Sequence, residues 1–398
     1  MLTTLYVVYI DQAITNIPGF SIAVYLFMDI VLLYYNYQLR FEGGLLKELS
    51  YEGKAYIAFF AVIFIPGLIT SPDKMSYLYS LFKGIHYAIL FISVYYVVKN
   101  KKSMEVVLGI LAITILAYAL TAYLLGTIEV GTGRLMISER GNPNEMAVLM
   151  YIGIVLVTYF WNKGLIYKFL SIGYIPIALS NIALSGSRKG FIGTGLFLTL
   201  FIISSYLPSL TKKNIMKVIT SLIIIFAIAI AVYNWYAPMF SNSILFERLS
   251  LASSADESAI NRMEMYRQAF ELFKQYPVFG VGYDNYKNFS TFGVFSHSTY
   301  AEVLSCTGIV GTFIYFSIYV SLICKLIKLY IAKVKQKLPV YVEGILLSFV
   351  LVDLVFSFVR IDLYDPVIYV LLACIAGYCE INKSILVENN ISQFEQKG

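Results

Sequence analysis

In this 398-residue chain the side chains with the most chemistry to offer are eight arginines and two histidines. Arginine's planar, permanently charged fork pairs with phosphate and carboxylate oxygens two at a time. Imidazole can take a proton from a hydroxyl near neutral pH. Arg134 and Arg140 flank the polar turn of GTGRLMISERGNPNEMA, Arg188 stands in LSGSRKGFIG, and Arg262 and Arg267 lie in NRMEMYRQAF. His297 follows in HSTYAEVLSCTGIVG, beside Ser296, Ser298 and Thr299. Arginines in such a set would hold an anion, and His297 would act as a base or orient an acceptor. Glu257 and Glu302 are the alternative bases. Arg267 is rotated about 140° from Arg262 around a helix, so both cannot face one ligand. Arg262, which shares a face with Tyr266, is assigned to the site.

Plainer readings stay open beside these. Outer arginines can pair with Glu139 and Glu145. Asn142-Pro143-Asn144 is a good helix start whether or not Arg140 holds a phosphate there. The SGSR stretch is also a tight helical turn, and a lone histidine is usually structural. His86, beside Lys83, reads as structural or lipid-facing. No Asp-x-Asp pair, Gly-rich phosphate loop or His/Cys/carboxylate cluster at metal spacing occurs. The counter-charge to a bound diphosphate is therefore expected from arginine, with no metal and no cofactor.

The elements that must position these residues are membrane helices. The chain is 59% hydrophobic and only 14% charged, against about 25% charged for an ordinary soluble domain. Apolar runs long enough to span a bilayer recur, near 1–17, 18–38, 53–71, 77–98, 103–125, 144–161, 165–184, 189–207, 214–234, 298–323, 340–359 and 365–381. The fold class is all-α, a polytopic membrane protein with eleven or twelve transmembrane helices. A membrane barrel is excluded, because barrels alternate and lack long apolar runs. The net charge of +6 comes mostly from lysines in short loops and does not point to nucleic acid. The four cysteines lack metal spacing and read as small buried residues. Asp29 and Asp353 fall within spans, where carboxylates are costly and could relay protons.

Lysines orient the chain. Alternating the spans puts Lys99, Lys101 and Lys102, then Lys212, Lys213 and Lys217, then Lys325 to Lys337 on one side, which is expected to be cytoplasmic together with the C-terminal tail. Of the arginines only Arg40 joins them. The rest lie on the other side, the pattern of an outward-facing anion site built from separate loops. Residues 1–234 are expected to form a helix bundle, 235–297 an extracytoplasmic loop, and 298–398 the last spans and the tail. In the loop, Ser254 and Glu257 make a capping box for an amphipathic helix that Pro277 stops. Gly280 and Gly282 mark a turn, and Gly308 and Gly311 are spaced for close helix packing.

Taken in order, SGSR, R-x-x-x-Y, P-x-F-G-x-G and HS-x-Y-x-E-x-x-x-x-x-G-x-x-G resemble the O-antigen ligase and O-antigen/capsule polymerase family, over about residues 130–320. The residue after the histidine is Ser298, where that family often has Asn. The resemblance implies a GT-C-like fold and transfer of glycans from an undecaprenyl diphosphate carrier at the outer face of the bacterial cytoplasmic membrane. Arg188 and Arg262 would bind the diphosphate, with Arg140 assisting and Arg134 and Arg267 as further candidates. His297 would orient or deprotonate the acceptor hydroxyl. The implied partners are the lipid-linked oligosaccharide, a growing glycan acceptor, a flippase and a chain-length regulator. A polymerase of lipid-linked repeats is the preferred reading. A ligase to lipid A-core or another acceptor, and a transporter or flippase of lipid-linked sugars, are the alternatives.

Overall fold

A computed structural model describes residues 25–32, 34, 49–129, 133–137, 142–206, 208, 216–217, 219–220, 223 and 257–386. The expected spans at 1–17, most of 18–38 and most of 214–234 lie outside the described residues, as do Arg140, Arg248 and Ser254. Described elements are α1 (Tyr51–Thr70), α2 (Lys74–Val97), α3 (Lys101–Leu125), β1 (Thr127–Ile128), β2 (Leu135–Met136), α4 (Pro143–Phe160), α5 (Leu165–Leu184), α6 (Arg188–Tyr206), α7 (Glu257–Gln275), α8 (Tyr286–Phe289), α9 (Thr299–Lys335), α10 (Tyr341–Phe356) and α11 (Pro366–Ile381). β1 and β2 form a two-residue antiparallel ribbon; the fold is otherwise helical. Among the described residues seven helices are long and apolar enough to cross a membrane. The protein is a multi-pass, all-α membrane protein.

The helix starts obey local chemistry. Ser50 caps α1 by accepting from the Gly53 N–H, and Asp73 caps α2 by accepting from Met75 and Ser76. Asn142 and Asp365 cap α4 and α11, each followed by a proline whose missing N–H costs nothing at that position. α7 ends at Gln275, two residues before Pro277.

Two compact units share the chain. The first comprises Met1–Val107, Glu257–Leu329 and Leu354–Gly398; the second comprises Leu108–Asp256 and Tyr330–Asp353. In the second, α4 packs on α5 and α6. The Tyr174 hydroxyl donates to the Met150 carbonyl at 3.0 Å, beside Gly153, where a Cβ would lie 1.9 Å from that hydroxyl oxygen. In the first, α11 packs on α2, and Gly377 meets Val98. Fourteen of the sixteen α11 residues are buried, so its all-round apolarity serves a protein core rather than a lipid face.

α9 is two helices joined at a kink. Gly308 breaks it with φ 61° and ψ −166°, a region essentially reserved for glycine. The Pro277–Gly282 turn takes up the hydrogen bonds lost there. The Ile309 and Val310 N–H groups donate to the Pro277 and Val278 carbonyls at 2.9 and 3.2 Å, and the Val281 and Gly282 N–H groups donate to Ser305 and Cys306 at 3.1 and 2.7 Å. A Cβ on Gly280 would sit 2.3 Å from the Cys306 backbone, and one on Gly308 would sit 2.4 Å from that of Val278. The expectation that Gly308 and Gly311 pack against another helix is thus corrected. Gly308 lets a loop backbone splint a broken helix, and Gly311 lies under Thr307 of its own helix.

The splint also changes the picture of the polar stretch. Gly308 is the tenth residue of α9, about 13 Å along it. The Thr70 hydroxyl at the end of α1 donates to the Val281 carbonyl at 2.7 Å, and Tyr283 packs on Gly84, well inside α2. Residues 277–286 therefore pack among α1, α2 and α9 of the first unit. Their irregular backbone is satisfied by those neighbours.

His86 and Asp29 are corrected together. His86 is completely buried, and its Nδ1 lies 2.6 Å from Asp29 Oδ1, with Tyr25 against the ring. The histidine does not face lipid; it partners the carboxylate that stood unexplained in a span. Cys306, Cys374 and Cys379 are buried as expected, whereas Cys324 is exposed.

Candidate active site

In the first unit, His297 occupies a left-handed backbone position, φ 61°. Few residue types tolerate this, histidine among them. The turn is held from both sides. Ser296 donates its N–H to Glu302 Oε2 at 2.8 Å and its hydroxyl to the Ser298 carbonyl at 3.0 Å. The Ser298 hydroxyl donates to Ser357 at 3.1 Å, and the Thr299 N–H is shared between the Ser357 and Arg360 carbonyls, both at 2.8 Å. Asp362 closes the ring: its N–H donates to Thr299 Oγ1 at 2.9 Å, and its Oδ2 accepts from Ser357 at 2.6 Å. Ser296, Ser298 and Thr299 are buried, while His297 is half-buried with its ring edge-on to Phe295 at 4.8 Å. The fixed turn thus presents one imidazole outward from a buried polar network.

Glu302, one turn into α9, is fully buried. Its Oε1 accepts from the Tyr364 hydroxyl at 2.9 Å. Burial, with the nearby Glu302 charge second, pushes the Tyr364 phenol well above its usual range, so it remains a donor throughout the physiological range. Both Glu302 oxygens are engaged in holding the chain, an arrangement suited to fixing the His297 turn.

Arg360 is buried and ion-paired to Asp362 at 3.0 Å and to Asp365. Sequence reasoning placed this arginine on the arginine-rich side but gave it no role, and it missed Tyr364, Asp362 and Asp365. Their signal was weak: a short polar run, RIDLYDP, between two apolar spans.

Arg262 lies one helical turn before Tyr266, which ties α7 to the segment preceding Arg360. Tyr266, one helical turn on, donates its hydroxyl to the Phe358 carbonyl at 2.9 Å, and Phe358 packs on Tyr300 at 4.4 Å. Burial raises the Tyr266 phenol, with the Arg262 charge opposing it. Arg262 makes no hydrogen bond or ion pair among the described residues. Arg267 behaves differently: it is exposed and grips Glu264 with two bonds of 2.7 and 2.8 Å. Those bonds, with one from Gln268, hold the Glu264 carboxyl down to about 2. Glu257 begins α7, but its side chain lies outside what is described.

In the second unit, Gly186 (φ 62°) turns the chain between α5 and α6, with the Ser187 N–H donating to Ser185 Oγ, and Arg188 opens α6 half-buried. Arg134 is buried, and its guanidinium donates to the Ser185 carbonyl at 2.6 Å and to Asn144 Oδ1 at 2.8 Å. It joins the Arg188 turn to the first turn of α4, one donor on the Ser185 backbone and one on the Asn144 side chain. The site residues thus fall into two sets: Arg262, His297 and Glu302 in the first unit, Arg134 and Arg188 in the second.

Residues 173–316 match the family model described as O-antigen ligase. The match runs from within α5 to within α9 and includes Arg188, Arg262, His297 and Glu302. No curated protein matches the chain. A chain from a solved structure described as "Structural coordination of polymerization and crosslinking by a peptidoglycan synthase complex" is similar at 14% identity and a TM-score of 0.46, covering 85% of this chain and 97% of that one.

Proposed function

We propose, from the premise that the chain carries the O-antigen ligase region and belongs to envelope polysaccharide biosynthesis, that it is a glycosyltransferase using a lipid-diphosphate-linked glycan donor. The observation that carries the reading is the His297 turn. A left-handed backbone anchored through Ser296, Ser298 and Thr299 carries a half-buried imidazole at the N-terminal end of a membrane helix.

In this reading an acceptor sugar hydroxyl attacks the anomeric carbon of the donor. The oxygen–carbon bond forms as the bond from that carbon to the diphosphate oxygen breaks. His297 takes the hydroxyl proton. Negative charge grows on the leaving diphosphate, and Arg262 meets it as a cation whose effect is enhanced at the low-dielectric membrane edge. Glu302 and Tyr364 position the histidine and exchange no proton with substrate. The roles of Arg188 and Arg140 rest on the outer-arginine pattern and the family resemblance, and those of Arg134 and Arg267 on the pattern alone. Arg134 and Arg267, already bonded within the chain, are the weaker candidates.

The preferred acceptor is a second lipid-linked repeat, which makes the enzyme a polymerase acting at the outer face with its C-terminus cytoplasmic. A ligase differs only in its acceptor. Purified protein mixed with a lipid-diphosphate-linked repeat unit tests the reading. A ladder of products that vanishes in His297→Ala and Arg262→Ala is expected. A single transfer seen only with an added core lipid would make it a ligase.

The buried Asp29–His86 pair favours one other reading, a proton-coupled transporter of lipid-linked sugars, because paired ionisable groups inside spans often serve proton paths. Asp29→Asn and Asp353→Asn decide it. Transfer that persists in either variant excludes coupling through that residue.

A further inference from the structure

The first unit holds a cavity at the end of α9 remote from His297. Its volume is about 540 Å³, and its wall includes Tyr51, Tyr95, Lys99, Lys325, Glu380 and Lys383. The N-terminal residues of α1, the residues just past α2, the late part of α9 and the end of α11 all contribute. Lys383 lies 3.4 Å from Glu380 in the same wall, and with Lys325 paired to Glu52 the three lysines leave the cavity one excess positive charge. Lys325 is fixed in place: it grips the fully buried Glu52 at 2.7 and 2.9 Å, and Ser321 donates to the same carboxylate at 2.6 Å. Lys99 is braced over the Tyr95 and Tyr96 rings, 5.4 and 4.9 Å from their centroids. Leu49, Leu329 and Leu386 complete the wall with apolar surface.

Depth identifies what this cavity meets. From Thr299 to Lys325 the helix, kinked at Gly308, spans at most about 39 Å at 1.5 Å per residue. A bilayer with its headgroup regions is about 40–45 Å thick. With His297 at one membrane surface, the cavity therefore lies at the headgroup level of the other. Lysine clusters at that level attract anionic lipid headgroups. The mixed wall suits a phosphodiester attached to a glycerol and acyl chains better than a small hydrophilic ion.

We propose that this cavity is a binding site for the phosphodiester headgroup of an anionic membrane phospholipid, on the side of the membrane opposite the candidate active site. Lys99 supplies the excess charge, with Lys383 held beside Glu380 at the rim and Lys325 on Glu52 as the floor. The site anchors the α1, α2, α9 and α11 ends and takes no part in glycan transfer.

The test is lipid retention by the purified full-length protein in neutral detergent, read by native mass spectrometry. Phosphatidylglycerol and phosphatidylcholine are added at equal concentration, with free glycerol 3-phosphate as a competitor. The wild type should retain phosphatidylglycerol in preference. Lys99→Gln/Lys383→Gln should weaken that retention by about thirtyfold, the value expected for two surface lysines, and Lys99→Arg should preserve it. Lys383 is exposed, so Lys383→Gln alone serves as the test if the double variant does not fold. Equal retention of the zwitterionic lipid, or unchanged retention in folded variants, overturns the proposal. Displacement by glycerol 3-phosphate at equal concentration would make the ligand a soluble phosphate and overturn the lipid assignment.

Discussion

The two ends of α9 in the first unit are both polar, yet they are built on different physical principles. At the His297 end, Ser296, Ser298, Thr299, Glu302, Ser357 and Asp362 are buried and hydrogen-bonded to one another or to nearby backbone. The helix there is broken at Gly308 and splinted by a loop. At the other end stand lysines, Lys325 on the buried Glu52 and Lys383 beside Glu380, around an open volume. Chemistry needs atoms fixed to a fraction of an ångström, and a buried, satisfied network supplies that rigidity. Binding a headgroup needs only charge at the right depth, which flexible lysines provide. Rigidity therefore separates a reacting end from an anchoring end better than net charge does.

Variants that strike the rigid end should have the largest effects. His297→Ala should lower the transfer rate by about 10²–10⁴-fold, the usual range for removal of a general base, while leaving the melting temperature in place. A stability loss as large as the activity loss would reduce the histidine to a structural residue. Gly308→Ala comes next. It forces a side chain onto Val278 in a glycine-only conformation, and should destabilise the protein by on the order of 3 kcal/mol, seen as a lower melting temperature in detergent. If it melts like wild type, the splint is not what holds α9 there.

Tyr364→Phe removes one of the two clamps on Glu302 and should cost about 1 kcal/mol, appearing as a severalfold fall in kcat with KM unchanged. A KM effect alone would show that Tyr364 touches substrate. The smallest effect belongs to Arg267→Gln, because that side chain is exposed and satisfied by Glu264. Transfer should stay within about twofold of wild type, as for most exposed ion pairs, in contrast to a large loss for Arg262→Gln. The Glu264 carboxyl is held below its ordinary value, near 2. Its pairing is therefore complete above the ordinary carboxylate range and is lost only as pH falls toward 2. Acid titration down to pH 5 should not alter the Arg267 variant's difference from wild type.

Much of the scaffold was legible before any coordinates. Long apolar runs can only be membrane helices, and Asn142-Pro143 and Asp365-Pro366 mark helix starts by the missing proline N–H and the side-chain cap. Local chemistry also showed that Arg262 and Arg267 point apart, since five residues of helix determine that angle. Tertiary structure alone decided the rest. Gly308 reads as a packing glycine until the Pro277 turn is seen lying against it, 31 residues away in sequence. His86 and Asp29 become partners across 57 residues. Glu302 proves to be a clamp because Ser296 and Tyr364 converge on it from different segments, and Arg134 proves to be a brace for the Ser185 turn. A sequence records residue types and local periodicity, which determine helices, caps and membrane insertion. Which polar groups satisfy one another once buried depends on contacts distant in the chain, and these follow only from how the helices pack.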